Sequence, residues 1–446
     1  MSDAETSWRV SPGLLKVAER AKRHPDVKML ALAHHIDEPA LERAYRRLRT
    51  DAAVGVDGVT VQAYGDRLAE NLQDLRVRMK AGQYRHQPIR RVNIPKDNGM
   101  TRPIGVSTVE DKIVQGALRD VLEAIYEQDF LDCSHGFRPG RSAHDAIRVL
   151  NGVIDRGEAN VIVEADIVSF FDSIDRKMLM EMLRDRIADE SLLRLVGKCL
   201  HVGVLDGESV LEPDEGTAQG SSLSPLLGNI YLHHVLDVWF QREVQPRLRG
   251  RSALVRYADD FVICFQYDDD AERVWNVLGD RFRKFGLTLH PAKTRRFSFR
   301  RPRDGGDQGG ATFDFLGFTS YWRRNRTGLQ RVAFRTRGAR LRRAIKAANE
   351  WCRRHLHDSV EEQHLALTRK LVGHYNYFGV NGNEPALRRL RYWVERSWQK
   401  WLNRRSQHAR MPWKRFLQLL ARFPLPAPRI RVQIWEPRQL KLRFRS

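Results

Sequence analysis

The sequence predicts an α+β domain built on an antiparallel sheet over roughly the first 330 of its 446 residues, followed by an all-helical, basic domain. Three observations lead there. Short β-prone runs alternate with helical stretches and tight-turn signals up to about residue 320, which favours a sheet with helices packed on it. Beyond 330, apolar residues recur at helical spacing instead. Charge is also segregated: residues 1–330 hold 49 Lys+Arg against 48 Asp+Glu, whereas 331–446 hold 28 against 7.

Taken in order, the first 80 or so residues read as helical, with Leu68, Leu72, Leu75 and Met79 on one face and Gly82 as a stop. VGVDGVT (54–60) is a turn between them. Residues 88–106 hold two β-prone runs around Asp97-Asn98-Gly99, a hairpin signal whose arms carry basic side chains. VIVEAD, from Val161, reads as a buried strand ending near Asp166, and 176–200 turns helical. Residues 216–240 open as a small-residue loop and enter a helix with Pro225 in its first turn, where proline is tolerated. ALVRYADDFVICF (253–265) is apolar on both sides of Ala258-Asp259-Asp260 and predicts a hairpin with acids at or beside its tip. FDFLGF (313–318) is a last β-prone piece after the Gly-rich loop 301–310.

In the basic part, Leu341, Ile345, Ala348, Cys352 and Leu356 form one helical stripe. Leu387, Leu390, Val394, Trp398 and Trp401 form a second, after a helix start at Pro385. The opposite faces are rich in arginine. Six of the ten tryptophans fall here, and both bundle packing and stacking on nucleic acid are open to them. FPLPAPRI (423–430) is too proline-rich for a helix and reads as an extended strap.

Composition narrows the class. No apolar run approaches the ~18–20 residues of a membrane span, and the N-terminus lacks the basic-then-apolar pattern of a secretory signal. Cys133, Cys199, Cys264 and Cys352 lie far apart with no C-x-x-C pair, which predicts reduced thiols in a cytoplasmic protein. The net charge of +22, concentrated near the C-terminus, calls for a polyanionic partner, because each neutralised phosphate releases condensed counterions.

The acids pose a second question. An adjacent pair such as Asp259-Asp260 between apolar runs is costly to ionise unless a cation neutralises it. Mg²⁺ suits hard oxygen ligands and substrate phosphates, and two such ions ~3.5–4 Å apart can serve both ends of a phosphoryl transfer. Ordinary turn chemistry is the plain alternative for an isolated Asp-Asp.

The tetrapeptide Tyr257-Ala258-Asp259-Asp260 resembles the polymerase palm motif of reverse transcriptases, and VIVEADIVSFFDSID resembles the motif that supplies the other metal-binding aspartate. Seven blocks stand in that family's order: IPKDNGMTRPIGV (94–106), SHGFRPGRSAHDA (134–146), EADIVSFFDSID, GTAQGSSLSPLLGNIYL, YADD, FGLTLHPAKT (285–294) and FLGF. With VDGVT upstream they resemble the reverse transcriptases encoded by group II introns, over about residues 40 to 435.

That resemblance implies a right-hand polymerase fold. It implies an N-terminal helical extension over 1–35, fingers and palm over 36–330, thumb or maturase helices over 331–410 and a basic nucleic-acid-binding tail over 411–446. Asp166 and Asp259 would be the ligands of two Mg²⁺ ions, with Mn²⁺ as a substitute, helped by the Ile167 carbonyl, and Asp260 would be a third acid. Lys96 and Arg102 would grip the incoming triphosphate. Phe171 matches the gate against a ribose 2′-OH, Gln219 and Gly220 would line the nucleotide and template side, and Lys293 matches a lysine that protonates pyrophosphate. Phe171 as core, Lys293 as a surface charge and Gln219 as a loop residue are the plainer roles. Ala218 stands where the family usually has proline.

Arg138 and Arg141 would either touch template phosphates or hold their own loop. Further on, Arg388, Arg389, Arg396, Lys400, Arg404, Arg405, Lys414 and Arg415 would contact nucleic acid. The implied activity is RNA-directed DNA polymerisation from dNTPs on a DNA primer, with group II intron RNA or another RNA as template, together with help in splicing and retrohoming. No Cys/His cluster follows residue 430, so second-strand cutting by an endonuclease domain is not expected. Two other uses of the lineage stay open: a splicing-only maturase with a vestigial site, and an enzyme co-opted for defence beside a CRISPR module. The oligomeric state is open too.

Overall fold

The computed structural model describes residues 11–95, 101–157, 159–206, 209–211, 216, 220–302, 311–325, 328–405 and 411–435. The chain opens with four helices, α1 (Pro12–Arg23), α2 (Glu38–Arg46), α3 (Val61–Gly65) and α4 (Leu68–Lys80). Ser11, Asp37 and Thr60 cap the first three by accepting a backbone N–H of the first turn. The hairpin β1 (Ile89–Pro95) and β2 (Thr101–Val106) leads into the long helix α5 (Val109–Asp129) and then α6 (Ala143–Asp155). Next come β3 (Val161–Ala165), α7 (Arg176–Arg186), α8 (Glu190–Leu200) and the three-residue strands β4 (Val204–Asp206) and β5 (Ser209–Leu211). Helix α9 (Ser224–Leu232) continues through wider π-type turns as far as Val244.

The hairpin β6 (Ser252–Tyr257) and β7 (Asp260–Phe265) follows, then α10 (Asp268–Arg283), β8 (Arg295–Ser298), β9 (Phe313–Phe315), β10 (Phe318–Arg324) and β11 (Gln330–Thr336). Because β11 crosses residue 331, the helical part starts only at α11 (Gly338–Arg354). It continues with α12 (Val360–Phe378), α13 (Glu384–Leu402) and α14 (Trp413–Arg422). The architecture is therefore α+β, as the sequence predicts, with a helical C-terminal part.

Three sheets organise these strands. The central one has the order β6-β7-β3-β8 and is antiparallel throughout. Its side chains alternate between two cores: Val161, Val163, Ala165, Phe261 and Ile263 face the larger, Ile162, Val262 and Cys264 the other. Burial on both faces explains why these strands read as continuous apolar runs. A second sheet, β2-β1-β4-β5, carries the 88–106 hairpin at its edge and contains one parallel pair, β1 with β4. The third, β11-β10-β9, is antiparallel and bridges the central sheet to the helices.

Buried Arg186 pins the first helix to the rest, donating to Asp129 at 2.8 Å and to the carbonyls of Ala21 and His24 at 2.8 and 3.0 Å. In the helical part, Leu341, Ala348 and Cys352 of one stripe pack with Leu387, Leu390, Val394 and Trp398 of the other. No described helix is long and apolar enough to cross a membrane, and all four cysteines are unpaired thiols.

Two buried histidines make the fold acid-sensitive. Burial is the main reason that His135 and His233 are pushed down from 6.5 to about 4, and neither His135 ring nitrogen nor Nδ1 of His233 has a hydrogen-bond partner among the described residues. The unfolded chain binds these protons first, so stability falls as pH drops from about 6.5 towards about 4. Each histidine adds a slope of up to about 1.4 kcal/mol per pH unit. Denaturant titrations across this window should give a shallower slope for the His135→Gln/His233→Gln variant; an unchanged slope would refute the assignment.

Candidate active site

The site begins with a two-residue turn. Arg256 pairs with Phe261 and Tyr257 with Asp260, so Ala258 and Asp259 alone connect β6 to β7. Ala258 has φ of +57°, in the left-handed region that such tight hairpins demand. On the other side of β7, Ala165 pairs with Phe261, and Asp166 therefore leaves β3 level with Asp260. Antiparallel register thus brings acids remote in sequence to one end of the central sheet.

Electrostatics register the crowding. Asp260 opens onto a cleft but is otherwise packed round by protein; this desolvation, then the charges of Asp259 and Asp166, push its carboxyl up to about 7, with Lys293 opposing. The Lys293 ammonium donates to the Asp166 carboxylate. Its loop is laced to the segment after β3: His290 N–H donates to the Asp166 carbonyl at 2.8 Å, Val168 N–H donates to Thr288 at 2.9 Å, and Ile167 bridges Leu289. That lacing places an ammonium 127 positions downstream beside the first acid. Among the described residues, no three His, Cys, Asp or Glu side chains form a ready-made metal cluster.

Behind the turn lies a network the sequence reading missed. Arg256 is fully buried, and its guanidinium donates to both carboxylate oxygens of Asp237, at 2.8 and 2.5 Å, to Asn229 Oδ1 at 2.9 Å and to the Ala258 carbonyl at 3.0 Å. Asn229 in turn donates to the Gly136 carbonyl at 2.7 Å. A Cβ on Gly136 would come within 2.3 Å of the Ala258 nitrogen, so only glycine lets the 134–141 loop lie against the hairpin tip. The available signal was an arginine inside an apolar strand, which must find a partner.

A cleft of about 860 Å³ opens between the acids and the helical part. Glu164, Asp166 and Asp260 line one side, while Lys293, Arg295, Arg337 and Arg340 supply positive charge. Arg295 donates to Glu164 at 2.8 Å and Arg337 pairs with Asp314 at 2.9 Å, so much of the wall is fixed by ion pairs. Tyr377 of α12 donates to the Leu316 carbonyl at 2.9 Å and closes the far end.

The other predicted residues fall as follows. Phe171 is half-buried and rests on Gly228, where a Cβ would meet its ring at 3.1 Å. Gly220, at φ +115°, lies so close to the Gly105 carbonyl that a Cβ would stand 2.3 Å away, which seats its loop on β2. Arg102 pairs with Ile94 in the hairpin ladder. Lys96 and Gln219 lie outside the described residues.

Of the two roles open to Arg138, the structure supports the internal one: it is 7% exposed and bonded to Glu127 and to the carbonyls of Leu131 and Ser134. Arg141 pairs with Asp132 at 2.6 Å. Arg405 is half-buried, its fork donating to the carbonyls of Leu356 and Asp358 between α11 and α12. Arg388, Arg389, Arg396, Lys400, Arg404, Lys414 and Arg415 are exposed. Trp398 is core, its indole N–H donating to Gln363 at 2.7 Å.

Comparison with known proteins bears on this geometry. Protein YkfC of Escherichia coli K12 is 36% identical over 280 residues, covering 56% of this chain and 74% of that protein. The group II intron-encoded protein LtrA of Lactococcus lactis is 34% identical over 243 residues, 53% of this chain and 40% of LtrA. A 91 kDa protein encoded in the cob intron of Schizosaccharomyces pombe is 35% identical over 192 residues, 43% of this chain and 24% of that protein. Residues 94–320, which contain the hairpin tip, the strand before Asp166 and the Lys293 loop, match the family described as reverse transcriptase (RNA-dependent DNA polymerase). The chain accordingly belongs to the reverse transcriptase family and is homologous to proteins encoded by group II introns.

Proposed function

We propose that this protein copies RNA into DNA at the end of its central sheet, and that its arginine-rich helical part binds group II intron RNA and assists splicing and retrohoming. The observation that carries the reading is the register-enforced approach of Asp166 to Asp259-Asp260, with Lys293 on Asp166. Kinship with LtrA supports the intron connection. In this reading the 88–106 hairpin serves as fingers, the central sheet as palm and α11–α14 as thumb.

The donor set fits a hard divalent cation. Desolvation and then the neighbouring carboxylates push Asp260 up to about 7, so the cluster gains from added positive charge, and Mg²⁺ is commonly held by one or two carboxylates with water and substrate phosphates. Asp166, the Ile167 carbonyl, Asp259 and Asp260 would hold it. When bound, Mg²⁺, or Mn²⁺ in its place, acidifies a primer 3′ hydroxyl and neutralises charge on the phosphates. Lys293 holds a proton beside Asp166 and stands ready to give it to departing pyrophosphate. Lys96 and Arg102 grip the triphosphate, Gln219 and Gly220 line the nucleotide, and Phe171 blocks a ribose 2′-OH.

Two measurements test the site. With RNA template, DNA primer, dNTPs and Mg²⁺, the purified protein should extend the primer, and Asp259→Asn should lower the rate by about a thousandfold or more while leaving RNA affinity within about twofold. Normal synthesis by that variant would refute the assignment.

The second is thermal melting in EDTA. In the folded state Asp260 keeps its proton up to about 7, against 3.8 ordinarily, so ionising it costs stability progressively as pH rises from about 4 to about 7. Asp260→Asn should therefore raise the Tm at pH 8 relative to the unchanged protein, with the gap closing near pH 4. A gap that does not vary with pH would contradict this linkage.

A further inference from the structure

Among the described residues, every tryptophan except one is buried or half-buried. The exception is Trp393, on the outer side of α13, which is 44% exposed and stands beside Tyr392, itself 46% exposed. Trp393 is absent from the helical core, whereas Trp398 and Trp401 on the same helix pack into or against it. The two exposed rings lie 5.5 Å apart at 79°, presenting faces in different directions. Leaving two large rings in water forgoes the burial that usually stabilises them.

The surroundings are cationic and ordered. The Arg396 guanidinium sits 5.3 Å from the centre of the Tyr392 ring and 4.2 Å from that of Trp413, and its Nε donates to the Tyr392 hydroxyl at 3.2 Å. Arg388 is fixed by Glu384 at 2.7 Å and Arg391 by Glu395 at 2.8 Å. Tyr392 also borders a groove of about 500 Å³ between α13 and the extended segment at Ala427 and Pro428. Aromatic faces, steady guanidinium forks and a groove thus meet on the most basic part of the chain.

We propose that Tyr392 and Trp393 form a stacking platform for unpaired bases of single-stranded RNA, with Arg388, Arg391 and Arg396 meeting its phosphates. This rests on the RNA-binding reading above and narrows it. A duplex keeps its base faces stacked on one another and is recognised by shape and backbone, so it has no use for exposed rings. An unpaired base offers a free π face to any aromatic side chain, with little regard to sequence.

The test is a titration of the full chain, without dNTPs, using a short unstructured RNA and the same RNA annealed to its complement. Tyr392→Ala/Trp393→Ala should weaken binding of the single strand by about tenfold or more, and of the duplex by less than about twofold. Trp393→Phe keeps a stacking ring and should retain most of the affinity of the unchanged protein. Single-stranded RNA should quench tryptophan fluorescence in the unchanged protein and less so in Trp393→Phe. If the double variant loses nothing, or loses both RNAs equally, the platform is refuted while RNA binding stands. If the unchanged chain binds neither RNA, the RNA-binding reading falls and the platform with it. Both side chains are exposed, and an unaltered Tm in the variants separates lost binding from lost folding.

Discussion

Everything at the candidate site leans on a single buried ion pair. Arg256 and Asp237 are both fully removed from water, so the guanidinium relies on Asp237, Asn229 and the Ala258 carbonyl to replace its hydration, and the carboxylate relies on Arg256 and the Cys133 thiol. Removing one partner of such a pair leaves an uncompensated charge, at a cost of about 3–5 kcal/mol, although the intact pair adds little net stability. Its value here is geometric. The guanidinium grips the carbonyl of Ala258, the residue forced into the left-handed region, and so fixes the turn that carries Asp259.

A rigid turn is useful because the acids around it repel. Glu164, Asp166, Asp259 and Asp260 all contribute to one local field, and the fold sets Lys293, Arg295 and Arg340 about the same cleft. Lys293 restrains Asp166, and Arg295 holds Glu164, whose carboxyl burial pushes upward. Asp260, with no ion pair among the described residues, holds its proton more tightly, first because of desolvation and then because of Asp259 and Asp166. Such electrostatic frustration typically marks places where binding a cation or substrate relieves what folding alone leaves strained.

How much of this the sequence made legible depends on whether the signal is local. The β6–β7 hairpin and the strand before Asp166 are written in apolar runs and turn residues, and their likeness to the reverse transcriptase motifs added the order of the blocks. The β4–β5 pair has only three residues per strand, too short for any periodicity. Arg256 announced itself as a charge in an apolar strand, yet its partners sit 19 and 27 positions away on a helix that reads as core. The tryptophans divide for a similar reason. A helical stripe identifies Trp398 as core, while Trp393 falls between stripes, where spacing says only that it faces elsewhere. Arg138 and Arg405 look like surface cations until tertiary packing supplies carbonyls and a carboxylate for their forks.

The orientation of the helical part is likewise a tertiary matter, and the segment just after the proline-rich strap supplies much of it. Val432 bridges Val380, Ile434 donates to Asn381 at 2.7 Å, and the Trp435 indole donates to the Val332 carbonyl at 2.9 Å. Arg148 of α6 donates to the Gln433 carbonyl at 3.0 Å, which ties the same segment to the α+β part. Asn383 adds a second tie, accepting from Thr336 N–H and donating to its hydroxyl, both at 2.8 Å. The end of α12, with Tyr377 in the cleft wall, is held between these anchors. Proline suits the strap at 423–430 that leads into this segment, because a stretch with preset φ and few states to lose can cross between two bodies at low entropic cost. Backbone and amide contacts outside the cleft thereby hold its two walls together, beside the ion pairs and the Tyr377 hydrogen bond within it.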